Sequence, residues 1–288
     1  MTTMLSSLND FWSTHTDRFS QTLPLLGNPV AFFATTFVIT LATSKIASMH
    51  AKRFEKYDLR PAMMIANGLI FGFFGIGFFL GMAATNLGMD SFDCDAYAGP
   101  DSEDFKQTSV KLIAWLYMAL KFGEFQRPLF ASLRGTSNSD HYKSWSYYYY
   151  LFGQLIVTYI GACFHPGGLF ALWCLLDAMV TVAEYSYLIL KLASRELHPN
   201  PRLKKIIKAM RFMTFVALAC HGFYFSSIPN CIAFVIIQIE AWYNVTLIVS
   251  VLYFYLFRSA KSKPAMKSSN SLKHTFTLDS NGNDIKRK

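Results

Sequence analysis

Several ionisable side chains of this chain stand inside stretches that are otherwise apolar. Such groups are costly in hydrocarbon and by default mark function. Asp177, Thr181, Glu184 and Lys191 follow one another at spacings of 4, 3 and 7 residues. That spacing puts them on one stripe of a helix, with Leu188 interrupting it before Lys191. A stripe of this kind faces a protein interior or a polar cavity rather than lipid. Lys121 and Glu124, three residues apart, can pair on one helix face. Arg211 and His221 lie ten residues apart in another apolar run, and Glu240 sits early in a further one. Two readings of these groups stand side by side. They form internal ion pairs that fix helix order, or they line a polar cavity that holds a substrate. For His221 the reading is a buried imidazole satisfied by its neighbours.

A second chemically loaded stretch is "SWSYYYYLFGQ", with tyrosines at Tyr147 to Tyr150. Adjacent helical residues point about 100° apart, so four tyrosines cover every side of a helix. Some belong to a membrane-interface belt, ring in the acyl region and hydroxyl near water. At least one must face inward.

The elements that position these groups are apolar helices. Of the 288 residues, 52% are hydrophobic and only 16% charged, the balance of a membrane protein. Seven stretches are long and apolar enough to cross a bilayer: 29–49, 62–83, 108–125, 147–164, 169–192, 206–225 and 232–257. The loops between them alternate in charge. The first holds Lys52, Arg53, Lys56 and Arg60; the third Arg127, Arg134 and Lys143; the fifth Arg202, Lys204, Lys205 and Lys208. The tail is basic too, whereas the fourth and sixth loops hold no Lys or Arg and the second is acidic. The positive-inside rule then places loops one, three, five and the tail in the cytosol and the N-terminus on the far side. The net charge of +9 is thus topological and excludes a nucleic-acid binder.

The expected organisation is a lumenal segment (1–28), a seven-span membrane domain (29–258) and a disordered basic cytosolic tail (259–288). The N-terminus lacks a basic n-region followed by an apolar core, so the first span is expected to act as the signal anchor. Cys94 and Cys231 both fall on loops of the far side, where a disulfide can tie them; two free cysteines are the other reading. No Cys or His spacing suits a metal. The sequon at Asn244 lies within a span, out of reach of glycosylation.

Several segments resemble the fatty-acid elongase family, in order along residues 25–263. They are "YDLRPAMMIAN" from Tyr57, "KFGEFQRPLFASLRG" from Lys121, "LLDAMVTVAEYSYLIL" from Leu175 and "LKKIIKAMRFMTFV" from Leu203. The resemblance implies an all-α membrane protein of the endoplasmic reticulum in which six of seven helices form a barrel around an acyl-chain tunnel. It implies condensation of a long-chain acyl-CoA with malonyl-CoA to a 3-oxoacyl-CoA, without a cofactor. It implies lipid, acyl-CoA, other elongation-cycle enzymes or an oligomer as partners. Carried onto this chain, the substrate-binding set is Lys121, Glu124, Arg127, Arg134, Asp177, Tyr185, Tyr187, Lys204, Lys205 and Arg211. The catalytic set is His141, Tyr148, Thr181, Glu184 and His221.

The departures from the family pattern are coordinated. Lys121, Glu124, Leu133, Arg134, Tyr185, Tyr187 and Phe215 are kept. The family's Asp-Thr reads Arg127-Pro128, its fifth-span Asn, His and Met read Asp177, Thr181 and Glu184, and its sixth-span glutamines read Arg211 and Thr214. No His-x-x-His-His box exists. Counting forward from Arg134 places it near His141; counting back from Tyr185 places it at 148–152, in the tyrosine tract. Tyrosine, with an ordinary pKa of about 10, is a poor base or acyl carrier at neutral pH. Asp177 and Arg211, on adjacent spans at similar depth, can pair and fill the site. Two functions follow: a condensing enzyme working with the surviving groups, or an inactive relative that binds acyl-CoA or lipid or regulates active elongases.

Overall fold

The computed structural model describes residues 12, 16, 18–46, 49, 59–93, 105–134, 145–164, 169–193, 200–228 and 234–261. Among these described residues there are nine α-helices and no strand: α1 (Arg18–Thr22), α2 (Pro29–Leu41), α3 (Arg60–Ala84), α4 (Phe105–Gly123), α5 (Gln126–Arg134), α6 (Trp145–Phe164), α7 (Leu169–Ala193), α8 (Pro201–Ser226) and α9 (Phe234–Lys261). A π-helical turn (Ala42–Ile46) extends α2, and a 3-10 segment (Asn86–Phe92) follows α3.

Each expected span contains one of these helices. Three of them, α3, α7 and α8, are long and apolar enough to cross a membrane by length and composition, while α2 is shorter. Their exposed faces carry Ile65, Phe73, Phe79, Met213 and Tyr224, side chains that lipid accommodates and water does not. The chain is read as an integral membrane protein on this ground. His141, the side chain of Arg134, the Cys94–Cys231 pair and the tail beyond Lys261 lie outside the described residues.

Local chemistry sets the helix ends. Asn28 and Asn200 each cap a helix that opens with proline. Their side chains accept from the amides of Ala31 (3.1 Å) and Arg202 (2.9 Å), donors a helix start leaves unpaired. After α3, the left-handed backbone of Asn86, Leu87 and Gly88 turns the chain, and Thr85 Oγ1 accepts from the Gly88 amide at 3.2 Å.

The break between α4 and α5 matters most for the site. The expected third span continues to Phe125, but the helix ends at Gly123. The amides of Glu124, Phe125 and Arg127 donate three residues back, each at 3.2 Å. In such a tight turn side chains three apart eclipse one another. Lys121, Glu124 and Arg127 are spaced in that way and emerge on one side. Pro128 sits in the first turn of α5, where a missing amide costs nothing.

The chain divides into residues 1–248 and 249–288; in the second unit the described part is the last turns of α9. Within the first unit α3 packs most extensively against α7, and further contacts join α3 to α4, α4 to α6 and α7 to α8. Two glycines allow α9 to approach. A Cβ on Gly153 of α6 would stand 2.2 Å from the Tyr243 ring, and one on Gly222 of α8 would stand 2.8 Å from Ala241. Part of the expected lumenal segment packs on the helices: Trp12 stacks on Tyr159 at 5.4 Å, and Leu26 is fully buried.

Candidate functional site

Asp177 is the centre of the site. It sits midway along α7 at 1% exposure, where an isolated carboxylate would be prohibitively costly. Four side chains answer it. Lys121 Nζ of α4 donates to Oδ2, and Arg211 Nη1 of α8 donates to Oδ1. The Tyr117 hydroxyl, one turn before Lys121, donates to Oδ2 at 2.5 Å. Thr181, one turn after Asp177, donates to the same oxygen at 3.5 Å and accepts from Arg211 Nη2 at 3.3 Å.

The network continues on both sides. Lys121 Nζ also donates to Glu124 Oε1 at 2.9 Å. Arg211 reaches Glu184 Oε1 through Nε and Nη2, both at 3.2 Å, and Arg127 Nη1 donates to Glu184 Oε2 at 2.7 Å. The six charges thus form one alternating chain, Arg127–Glu184–Arg211–Asp177–Lys121–Glu124. Three positive and three negative charges cancel. Lys121 and Glu124 are each 2% exposed, whereas the Arg127 and Glu184 side chains are 15% and 22% exposed, so the chain is sealed at one end and partly open at the other.

Aromatic faces support the cations. Lys121 Nζ lies 5.2 Å from the Tyr117 ring and 5.5 Å from that of Phe74. Arg211 Cζ lies 5.9 Å from the Tyr150 ring, and Arg127 Cζ lies 4.1 Å over Tyr185. The stack holds the Arg127 guanidinium in place. Its Nε and Nη2, and the hydroxyl of Tyr185, are nevertheless buried without a hydrogen bond.

The expected residues sort clearly. Lys121, Glu124, Arg127, Asp177, Thr181, Glu184, Tyr185 and Arg211 come together. The Lys121–Glu124 and Asp177–Arg211 pairs read from the sequence both exist, and the Lys121–Asp177 bond fuses them. Tyr187 takes no part in the described network, and Lys191 is exposed. Lys204 and Lys205 are exposed in the first turns of α8, about 10 Å along the axis from Arg211. Glu240 is half-buried and makes no ion pair among the described residues.

His221 lies about 15 Å further along α8 from Arg211. Its Nε2 is hydrogen-bonded to the Ser91 carbonyl at 3.0 Å, with the ring against Phe225 and Phe92. It is the satisfied imidazole expected of it and stands apart from the charges. The inward tyrosines are Tyr147 and Tyr150, not Tyr148, the one carried into the catalytic set. Tyr147 lies near Arg127, and Tyr150 packs on Phe215 and Arg211. The Tyr148 hydroxyl faces Thr43, and the exposed Tyr149 bonds Thr246 at 2.8 Å. Residues three apart share a helix face, so once Tyr150 faces inward Tyr147 follows.

Tyr117 is the member that sequence spacing alone does not announce. Its signal is its place one turn before Lys121 on the same face. It also lines an apolar crevice between α3, α4 and α7, a cavity of about 30 Å³ bordered by Phe74, Gly81, Ala114, Cys174 and Ala178 among others. Among the described residues no His, Cys, Asp or Glu cluster suits a metal ion.

The sequence model described as "ELO: GNS1/SUR4 family" matches residues 24–268, most of the chain. The chain is similar to "Very long chain fatty acid elongase F" of Drosophila melanogaster, at 23% identity over 210 residues, covering 73% of this chain and 80% of that protein.

Proposed function

The chain belongs to the ELO (GNS1/SUR4) family, and from that premise we propose that it acts in very-long-chain fatty acid synthesis, joining long-chain acyl-CoA to malonyl-CoA in the endoplasmic reticulum membrane. The observation that carries this reading is the six-charge chain. It is built from positions to which the resemblance gives substrate binding or, for Glu184, catalysis, and it gathers Lys121, Arg127 and Arg211 at one place.

In the reaction, malonyl-CoA loses carbon dioxide. The electron pair left on its C2 attacks the thioester carbonyl of the acyl-CoA, the carbon–sulfur bond breaks, and the CoA thiolate leaves and takes a proton. The product is a 3-oxoacyl-CoA two carbons longer. Cations held in a dry site stabilise negative charge on the attacked oxygen far better than they would in water. Lys204 and Lys205, exposed at the start of α8, suit the CoA phosphates. The acyl chain enters the crevice that Tyr117 lines, and the helices must part to admit it. Contacts within residues 1–248 link α3 to α4, α4 to α6, α6 to α9, α9 to α8, α8 to α7 and α7 to α3, which supports a six-helix arrangement around a tunnel.

One observation favours a second reading. No imidazole stands in the cluster among the described residues; Thr181 and Glu184 are the candidate catalytic groups found there, while His221 is engaged elsewhere. A protein so built binds acyl-CoA without turning it over and serves as a lipid sensor or a partner of active elongases.

The test is purified protein in nanodiscs with palmitoyl-CoA and radiolabelled malonyl-CoA. Labelled 3-oxoacyl-CoA supports the condensing reading, and its loss on Arg211→Leu ties it to the cluster. Thermal stabilisation by palmitoyl-CoA without product supports the binding reading and sinks the condensing one. Neither product nor stabilisation contradicts both.

A further inference from the structure

The alternating chain of charges has two unlike ends. At the sealed end, Glu124 meets Lys121 in a position 2% exposed. At the other end, Arg127 has one ion-pair partner among the described residues, Glu184, and shares it with Arg211. Arg127 uses only Nη1 for that bond. Its Nε and Nη2 stay buried with no acceptor, and so does the Tyr185 hydroxyl.

These unfilled donors have a definite geometry. Nε–H and Nη2–H point in parallel from one edge of a planar guanidinium, the fork that takes both oxygens of a carboxylate. The Tyr185 ring, 4.1 Å from Cζ, fixes that plane. The Tyr185 hydroxyl lies close to Gln126 and Arg127 without a hydrogen bond of good geometry to either. A buried charged donor left without an acceptor is costly, so a native fold keeps one only where something else supplies the acceptor. Other parts of the Arg127 and Glu184 side chains reach the surface there, while Nε and Nη2 are covered, so a neighbouring side chain must shift to admit a ligand. Charge agrees with shape, since a carboxylate placed there continues the alternation beyond its terminal cation.

We infer that the unfilled edge of Arg127, with the Tyr185 hydroxyl beside it, is a carboxylate site that receives the free carboxylate of a malonyl thioester. The inference rests on the proposed elongation function and deepens it, since it names which substrate the cluster tells apart from a simple acyl thioester. Arg127 is a positioning residue here. It holds the carboxylate before the carbon–carbon bond to it breaks, and a bidentate grip keeps that group in one plane. The site belongs to this chain's own sequence, because Arg127 stands where the resembled pattern has an acid.

The experiment measures equilibrium binding of malonyl-CoA and acetyl-CoA to the full chain in nanodiscs. The two ligands share the CoA moiety and differ by the carboxylate, so their affinity ratio cancels changes in CoA binding. The expected ratio is roughly tenfold to a hundredfold in favour of malonyl-CoA, the worth of hydrogen bonds to a charged acceptor. Arg127→Lys keeps a charge for Glu184 but loses the fork, and should bring the ratio to within about threefold of unity. Tyr185→Phe keeps the stacked ring and should lower the ratio by a smaller factor, about threefold to tenfold. Equal affinities in the unaltered protein, or an undiminished ratio in Arg127→Lys, overturn the proposal. Should Arg127→Lys fail to fold, an unchanged ratio in Tyr185→Phe overturns it. Free malonate should compete with malonyl-CoA more strongly than inorganic phosphate does; the reverse order means a phosphate site and sinks the carboxylate assignment. Palmitoyl-CoA binding is read separately. Its absence beside a preserved ratio removes the elongation reading and leaves the site, whereas its presence beside a ratio near one does the opposite.

Discussion

Helix α4 serves two unlike regions with adjacent residues. Lys121 points into the charged chain, bonded to Asp177 and Glu124. Phe122 points away, into an aromatic cluster where its ring lies 5.8 Å from Phe32, Phe32 stacks on Tyr159 at 3.8 Å, and Tyr159 stacks on Trp12. Both regions are buried, but they hold together differently. The aromatic cluster is non-directional: area and shape decide, and a neighbouring apolar side chain of similar volume is tolerated. The charged chain is directional and collective. Each member satisfies a neighbour that would otherwise be stranded in an apolar interior, so removing one from the middle of the chain strands two.

The sharpest break of this contrast is Asp177→Ala. It leaves Lys121 and Arg211 without their shared carboxylate and should cost about 3–5 kcal/mol, read by thermal or denaturant unfolding of the purified protein in detergent. Next is a pair of conservative changes. Asp177→Asn keeps the shape and loses the charge, and should cost about 3 kcal/mol. Phe32→Leu keeps the apolarity and changes the shape, and should cost under about 1.5 kcal/mol. Equal costs would erase the distinction between the regions. Tyr117→Phe removes one donor to Asp177 and should cost about 1 kcal/mol, near the upper range for hydrogen bonds inside membranes. The smallest effect belongs to Thr181→Val, about 0.5 kcal/mol, because its contacts of 3.3 and 3.5 Å are long and Asp177 keeps stronger partners.

The sequence carried most of the charged region because its cues are local. Asp177, Thr181 and Glu184 fall on one helical stripe at spacings of 4 and 3, Lys121 and Glu124 lie one turn apart, and Arg211 follows on the next apolar run. Two features escaped it. The first was the tight turn at Glu124–Phe125, since the apolar pattern runs through that point without a break. That turn swings Arg127 back toward Glu184, a pairing across 57 positions that spacing does not encode. The second was which tyrosines face inward. A run of four gives no periodic contrast, and only packing against Phe215, Arg211 and Thr246 assigns each ring a direction. The helices were legible as apolar lengths. Their neighbours depend instead on contacts such as Gly153 against Tyr243, which no local pattern announces.

The Lys121–Asp177 bond is what turns two ion pairs into one chain, and a double-mutant cycle with Lys121→Met and Asp177→Asn measures it most directly. If the six charges act as a unit, the double mutant is more stable than the sum of the single changes predicts, by about 2 kcal/mol or more. Additivity to within about 0.5 kcal/mol would mean that the two pairs stand alone and that the site has no single centre.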